Sequence, residues 1–127
     1  MSYVNQLSNQ HHMWAEAVED LNEAILTLKE EYLVSDSPEI YDPLRVSRHS
    51  ERARDYIGIL IGSFLKSEYR KENIFGKLDT NVLSDLQKKL SNQEGLDLKD
   101  LNALDLFLFL VAEKRSELSQ ELRMSRF

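Results

Sequence analysis

Arg45, Arg48, His49, Arg52 and Arg54 gather five cationic or protonatable side chains into ten residues. The guanidinium group is a planar fork that matches carboxylate or phosphate oxygens. Spaced i, i+3 and i+7, Arg45, Arg48 and Arg52 share one face of a helix. Asp42-Pro43 just before them is a helix start, because the carboxylate accepts from first-turn N–H groups and proline leaves no N–H unbonded. Cations near a helix N-terminus oppose the backbone dipole, and a bound anion relieves that opposition. The patch is therefore a candidate for binding an acidic protein or a nucleic-acid phosphate. The plainer alternative is that acids of the preceding helix, with Glu51 and Asp55, neutralise it.

A second set lies near the N-terminus: His11, His12, Glu16, Glu19, Asp20 and Glu23. His12 and Glu16 are one helical turn apart, and imidazole with carboxylate suits zinc, iron or manganese. Di-iron bundles require Glu-x-x-His pairs, which this chain lacks, so a solvated acidic face is the better account and no metal or other cofactor is expected. His11 falls beside Trp14 on the apolar side, and this pair is the candidate anchor for a protein partner. Arg45 and His49 enclose three residues, short of the Arg-x4–6-His spacing of helical ribonucleases. The sequence holds no Gly-rich phosphate loop, His-Glu-x-x-His zinc helix or Gly-x-Ser-x-Gly nucleophile turn, so no catalytic residue is assigned and an enzyme is not expected.

The elements that must position these groups are helices. Only four Gly and two Pro interrupt 127 residues rich in Leu, Glu, Lys and Ser, which predicts an all-α fold. Val4, Leu7, His11, Trp14, Val18, Leu21, Ile25, Leu28 and Tyr32 recur at alternating steps of three and four, giving a first helix from Tyr3 to about Val34. Ser35–Pro43 is read as a loop, and a second helix runs from Pro43 to about Asn73. Gly76 is expected in a left-handed C-terminal position. A short third helix, capped by Asp79 or Thr80, extends through Leu90. Asp97 and Asp100 then open a fourth helix that reaches about Arg123, with Leu101, Leu104, Leu108, Val111, Arg115, Leu118 and Leu122 on its seam. The architecture expected is a single domain over residues 1–127: an antiparallel bundle of three long helices and one short helix.

Two centres, YIGILIGSFL in the second helix and LFLFLV in the fourth, are apolar almost all round and need cover on several sides. One monomer supplies too few neighbours for both, so a homodimer is expected. Gly58 and Gly62, four apart in the first of these centres, are expected to permit close helix packing.

The formal charge of −6 disfavours general phosphate-backbone binding. It is unevenly spread: −8 over residues 1–44, +4 over residues 45–77 and −2 beyond. No apolar run approaches the roughly 20 residues of a membrane span. Without cysteine or a secretory leader pattern, a reducing cytoplasm is the expected location. Together these features predict a noncatalytic protein–protein interaction module: an adaptor, an immunity-type inhibitor or a small assembly subunit. The alternative is a small RNA- or DNA-binding subunit of a nucleoprotein complex that uses the arginine face of the second helix.

Overall fold

The computed structural model describes residues 2–35 and 43–125, without the side chains of 33–35 and 43–49. These residues form four α-helices: α1 (Tyr3–Ser35), α2 (Pro43–Lys66), α3 (Thr80–Ser91) and α4 (Leu98–Ser125). Two 3-10 turns, Glu68–Lys71 and Asn73–Phe75, join α2 to α3, and no strand occurs among the described residues. The all-α expectation holds, and no described helix is long and apolar enough to cross a membrane. The expected Asp42 cap lies outside the described residues.

The heptad seam explains why α1 lies at the centre. Leu7, Trp14, Leu21, Ile25 and Leu28 are buried, and α1 packs against both α2 and α4. Lys29 pairs with Asp105 across 2.9 Å, while Trp14, about four turns earlier, lines a pocket with Val111 further along α4; the two helices are therefore antiparallel. α3 packs mainly on α2, through a face built on Leu83, Leu86 and Leu90.

Helix starts and stops follow local chemistry. Asp79 caps α3 by accepting from the N–H groups of Asn81 and Val82. Asp97 accepts from the Asp100 N–H at 2.9 Å, and Asp100 accepts from the Asp97 N–H at 3.0 Å, a reciprocal box at the start of α4. The left-handed residue is not Gly76, whose φ is −62°, but Gln93 at φ 56°. Bonds from Glu94 N–H to Lys89 O and from Gln93 N–H to Leu90 O end α3 in a Schellman motif built around this residue.

α2 stops seven residues earlier than periodicity predicts. Ser67 turns to extended backbone, and its hydroxyl donates to the Phe64 carbonyl at 2.7 Å. Residues 68–73 are adequate helix formers, but the turns bring Tyr69 and Phe75 back over Trp14, and that tertiary burial outweighs helix continuation. The seam of α4 is also corrected. Phe107 and Lys114 are buried, while Leu108 and Arg115, expected there, are only half-buried.

Of the two glycines in α2, Gly62 meets its expectation of close packing. A Cβ there would come 2.6 Å from Gln87 Nε2 of α3, whereas one at Gly58 would meet nothing within 4 Å. The Gln87 amide instead donates to the Gly58 carbonyl at 3.2 Å, so the close approach is to a side chain rather than to a second helix backbone.

Candidate functional site

The arginine patch is only partly described. Arg45, Arg48 and His49 lie in α2, but their side chains fall outside the described residues. Arg52 is exposed and borders a shallow pocket with Asp20 and Glu23 of α1. Arg54 is held: its Nη1 donates to the Glu94 carbonyl at 2.8 Å and its Nε to the Ser50 hydroxyl at 3.3 Å. Ser50, itself buried, donates to the Glu31 carboxylate of α1. Asp20, Glu23 and Glu31 of α1 therefore lie beside Arg52 and Ser50 of α2. Burial, and then the nearby Asp20 and Glu16 carboxylates, hold the Tyr56 phenol above its ordinary pKa.

His12 and Glu16 form an exposed i, i+4 pair at 3.1 Å. Among the described residues no group of three or more His, Asp or Glu side chains is placed to hold a metal ion.

Trp14, expected as a partner-facing anchor, is a core residue at 6% exposure, and His11 beside it is half-buried. The seam position puts the indole inside, where Tyr69 meets it edge-on at 5.1 Å and Phe75 stacks at 5.9 Å. Phe64 continues the cluster, 4.9 Å from Phe75 and 5.3 Å from Phe107. The Trp14 Nε1 is shielded from solvent and has no hydrogen-bond partner among the described residues.

A pocket of about 200 Å³ opens beside this cluster. Met13, Trp14 and Ala17 line it from α1, Leu60 and Phe64 from α2, Phe107 and Val111 from α4, and Tyr69 from the first 3-10 turn. Its origin is geometric. The Cα atoms of α2 and α4 stay more than 8 Å apart among the described residues, and the space between them is bridged by the Phe64 and Phe107 rings. The exposed walls are apolar.

No family model, curated protein or solved structure matches the chain.

The residue that periodicity missed is Lys114, 6% exposed on α4. Its Nζ lies 2.6 Å from Glu72, 3.3 Å from Glu117 and 5.7 Å from the centre of the Tyr69 ring. Burial alone would lower its pKa, but the hydrogen bond to Glu72 and the charges of Glu72 and Glu117 outweigh it and hold Lys114 above the ordinary lysine value. The sequence signal was the step of three or four from Val111 and Leu118, which fits Lys114 as well as Arg115.

Outside the core, the apolar centres are incompletely covered. Ile59 of α2 is 71% exposed, and Phe109 of α4 is 58% exposed.

Proposed function

We propose that the protein is a noncatalytic helical interaction module that presents the α1–α4 face to another protein. The observation that carries this reading is the exposure of Phe109 in the middle of α4. Asp105, one turn before Phe109, holds Lys29 of α1, and Leu26, one turn before Lys29, is also exposed. Because the helices are antiparallel, Leu26 and Phe109 both lie one turn to the same side of that ion pair. An apolar pair bordered by a half-exposed cation and anion is suited to an interface with an apolar centre and a polar rim. A second copy of the chain would satisfy the same surface, which supports the homodimer expected from the apolar helix centres.

The test is paired affinity capture at physiological salt with wild-type and Phe109→Asp baits, each with and without nuclease, together with the mass of each bait in solution. Self-association or a nuclease-resistant protein that binds wild type and is lost from Phe109→Asp is the expected result. Equal recovery and equal mass for the two baits would overturn the reading. Nuclease-sensitive recovery lost in Arg48→Glu, Arg52→Glu would replace it with the nucleic-acid alternative.

A further inference from the structure

We propose that the pocket beside Trp14 is a binding site for a small uncharged molecule built on one aromatic ring. The pocket is separate from the Phe109 surface, and the proposal stands without it.

Two features meet at Trp14. A surface pocket of about 200 Å³ opens beside the indole with Ala17 on its wall, where a larger aliphatic side chain would fill the space. The Trp14 Nε1 is buried without a partner among the described residues, a donor that phenylalanine would not have stranded. Departures from the hydrogen-bonding rules of a core concentrate at functional sites.

The walls select the ligand. Four aromatic residues, Trp14, Phe64, Tyr69 and Phe107, line the pocket; of its two serines, Ser67 donates its hydroxyl to the Phe64 carbonyl and Ser63 is exposed. A charged guest would lose its water among walls whose exposed surface is almost wholly apolar. A flat ring keeps offset-stacked or edge-on contact with such walls. Size agrees, because a dry apolar cavity of about 150 Å³ accepts benzene. Met13, half exposed at the edge of the pocket, has the flexible thioether that lets such an opening adapt.

Trp14 is the sole tryptophan, so its emission reports directly on occupancy. The experiment titrates toluene, and separately benzoate, into the full chain while Trp14 emission and the melting temperature are followed. Toluene is expected to change the emission saturably and, at tenfold above its Kd, to raise the melting temperature by about 5 °C. Benzoate at the same concentrations does neither. Ala17→Leu fills the pocket and abolishes the response, and the milder Ala17→Val weakens toluene binding at least threefold should the leucine variant fail to fold. A linear, non-saturating emission change, equal binding of benzoate, or undiminished toluene affinity in a folded Ala17 variant would overturn the proposal. So would a pocket that ignores toluene and takes only a partner's side chain.

Discussion

Lys114 Nζ donates to Glu72 Oε1 across 2.6 Å, tying the second half of α4 to the residue that joins the two 3-10 turns. The pair fixes the segment that carries Tyr69 and Phe75, and so holds one wall of the Trp14 pocket in place. Lys114 is almost fully buried, so its charge relies on Glu72, Glu117 and the face of Tyr69 rather than on water.

Removing the carboxylate should therefore do more harm than removing both charges. Glu72→Gln is expected to lower stability by about 1–3 kcal/mol in urea unfolding, because a buried ammonium loses its main partner. Glu72→Gln combined with Lys114→Met should recover part of that loss. The folded pKa of Lys114 stands above its ordinary value, so on raising pH the unfolded chain loses this proton first. The pair's contribution is intact below the ordinary lysine pKa, near pH 10.4, and disappears as pH climbs through the folded value. Melting temperatures from pH 8 to 11.5 should fall more steeply for wild type than for the double variant.

Trp14→Ala should remove about 3–5 kcal/mol, the range for a large aromatic lost from a core. Urea unfolding followed by circular dichroism measures it. A change below 1 kcal/mol would mean that Trp14 does not support the cluster with Tyr69 and Phe75.

The two glycines of α2 should respond oppositely to alanine. Gly58→Ala meets open space and should stabilise by about 0.5–1 kcal/mol through helix propensity and a less flexible unfolded chain. Gly62→Ala displaces the Gln87 amide and its bond to Gly58, which offsets that gain. In a Gln87→Ala background, Gly62→Ala should recover the stabilisation, a double-mutant cycle that isolates the clash.

Gln93→Gly should stabilise by about 0.5–1 kcal/mol. The left-handed conformation at the end of α3 suits glycine better than a residue with a Cβ, and the side chain is exposed. Thermal melting decides it, with no change or a loss counting against this account of the cap.

Helix identity was legible because it rests on local chemistry: the seam of α1, the Asp79 cap and the Asp97–Asp100 box can each be read within four residues or over repeats of seven. What periodicity could not resolve was competition over distance. Nothing near Lys66 announces that α2 stops, because the reason is the aromatic surface of Trp14, more than fifty residues away. Lys114 was hidden for the same reason, since a lysine reads as a surface residue until Glu72 is known to face it. Gly76 is not left-handed because α2 has already ended at Lys66 and a 3-10 turn precedes it, whereas the left-handed residue closes the local Schellman bonds of α3 at Gln93. Trp14 was correctly placed on the α1 seam, but the sequence could not distinguish a seam facing a partner from one facing its own chain.

The pairing of α1 with α4 sets the order in which this chain can mature. Lys29 and Asp105 are 76 residues apart, and the seam of α1 has no complete cover until α4 has been synthesised. Until then the part of the α1 apolar stripe that α4 covers has no partner within the chain. Closure must await the arrival of α4, so the interval before it, rather than the finished fold, is when this protein is most exposed to aggregation and most accessible to chaperones.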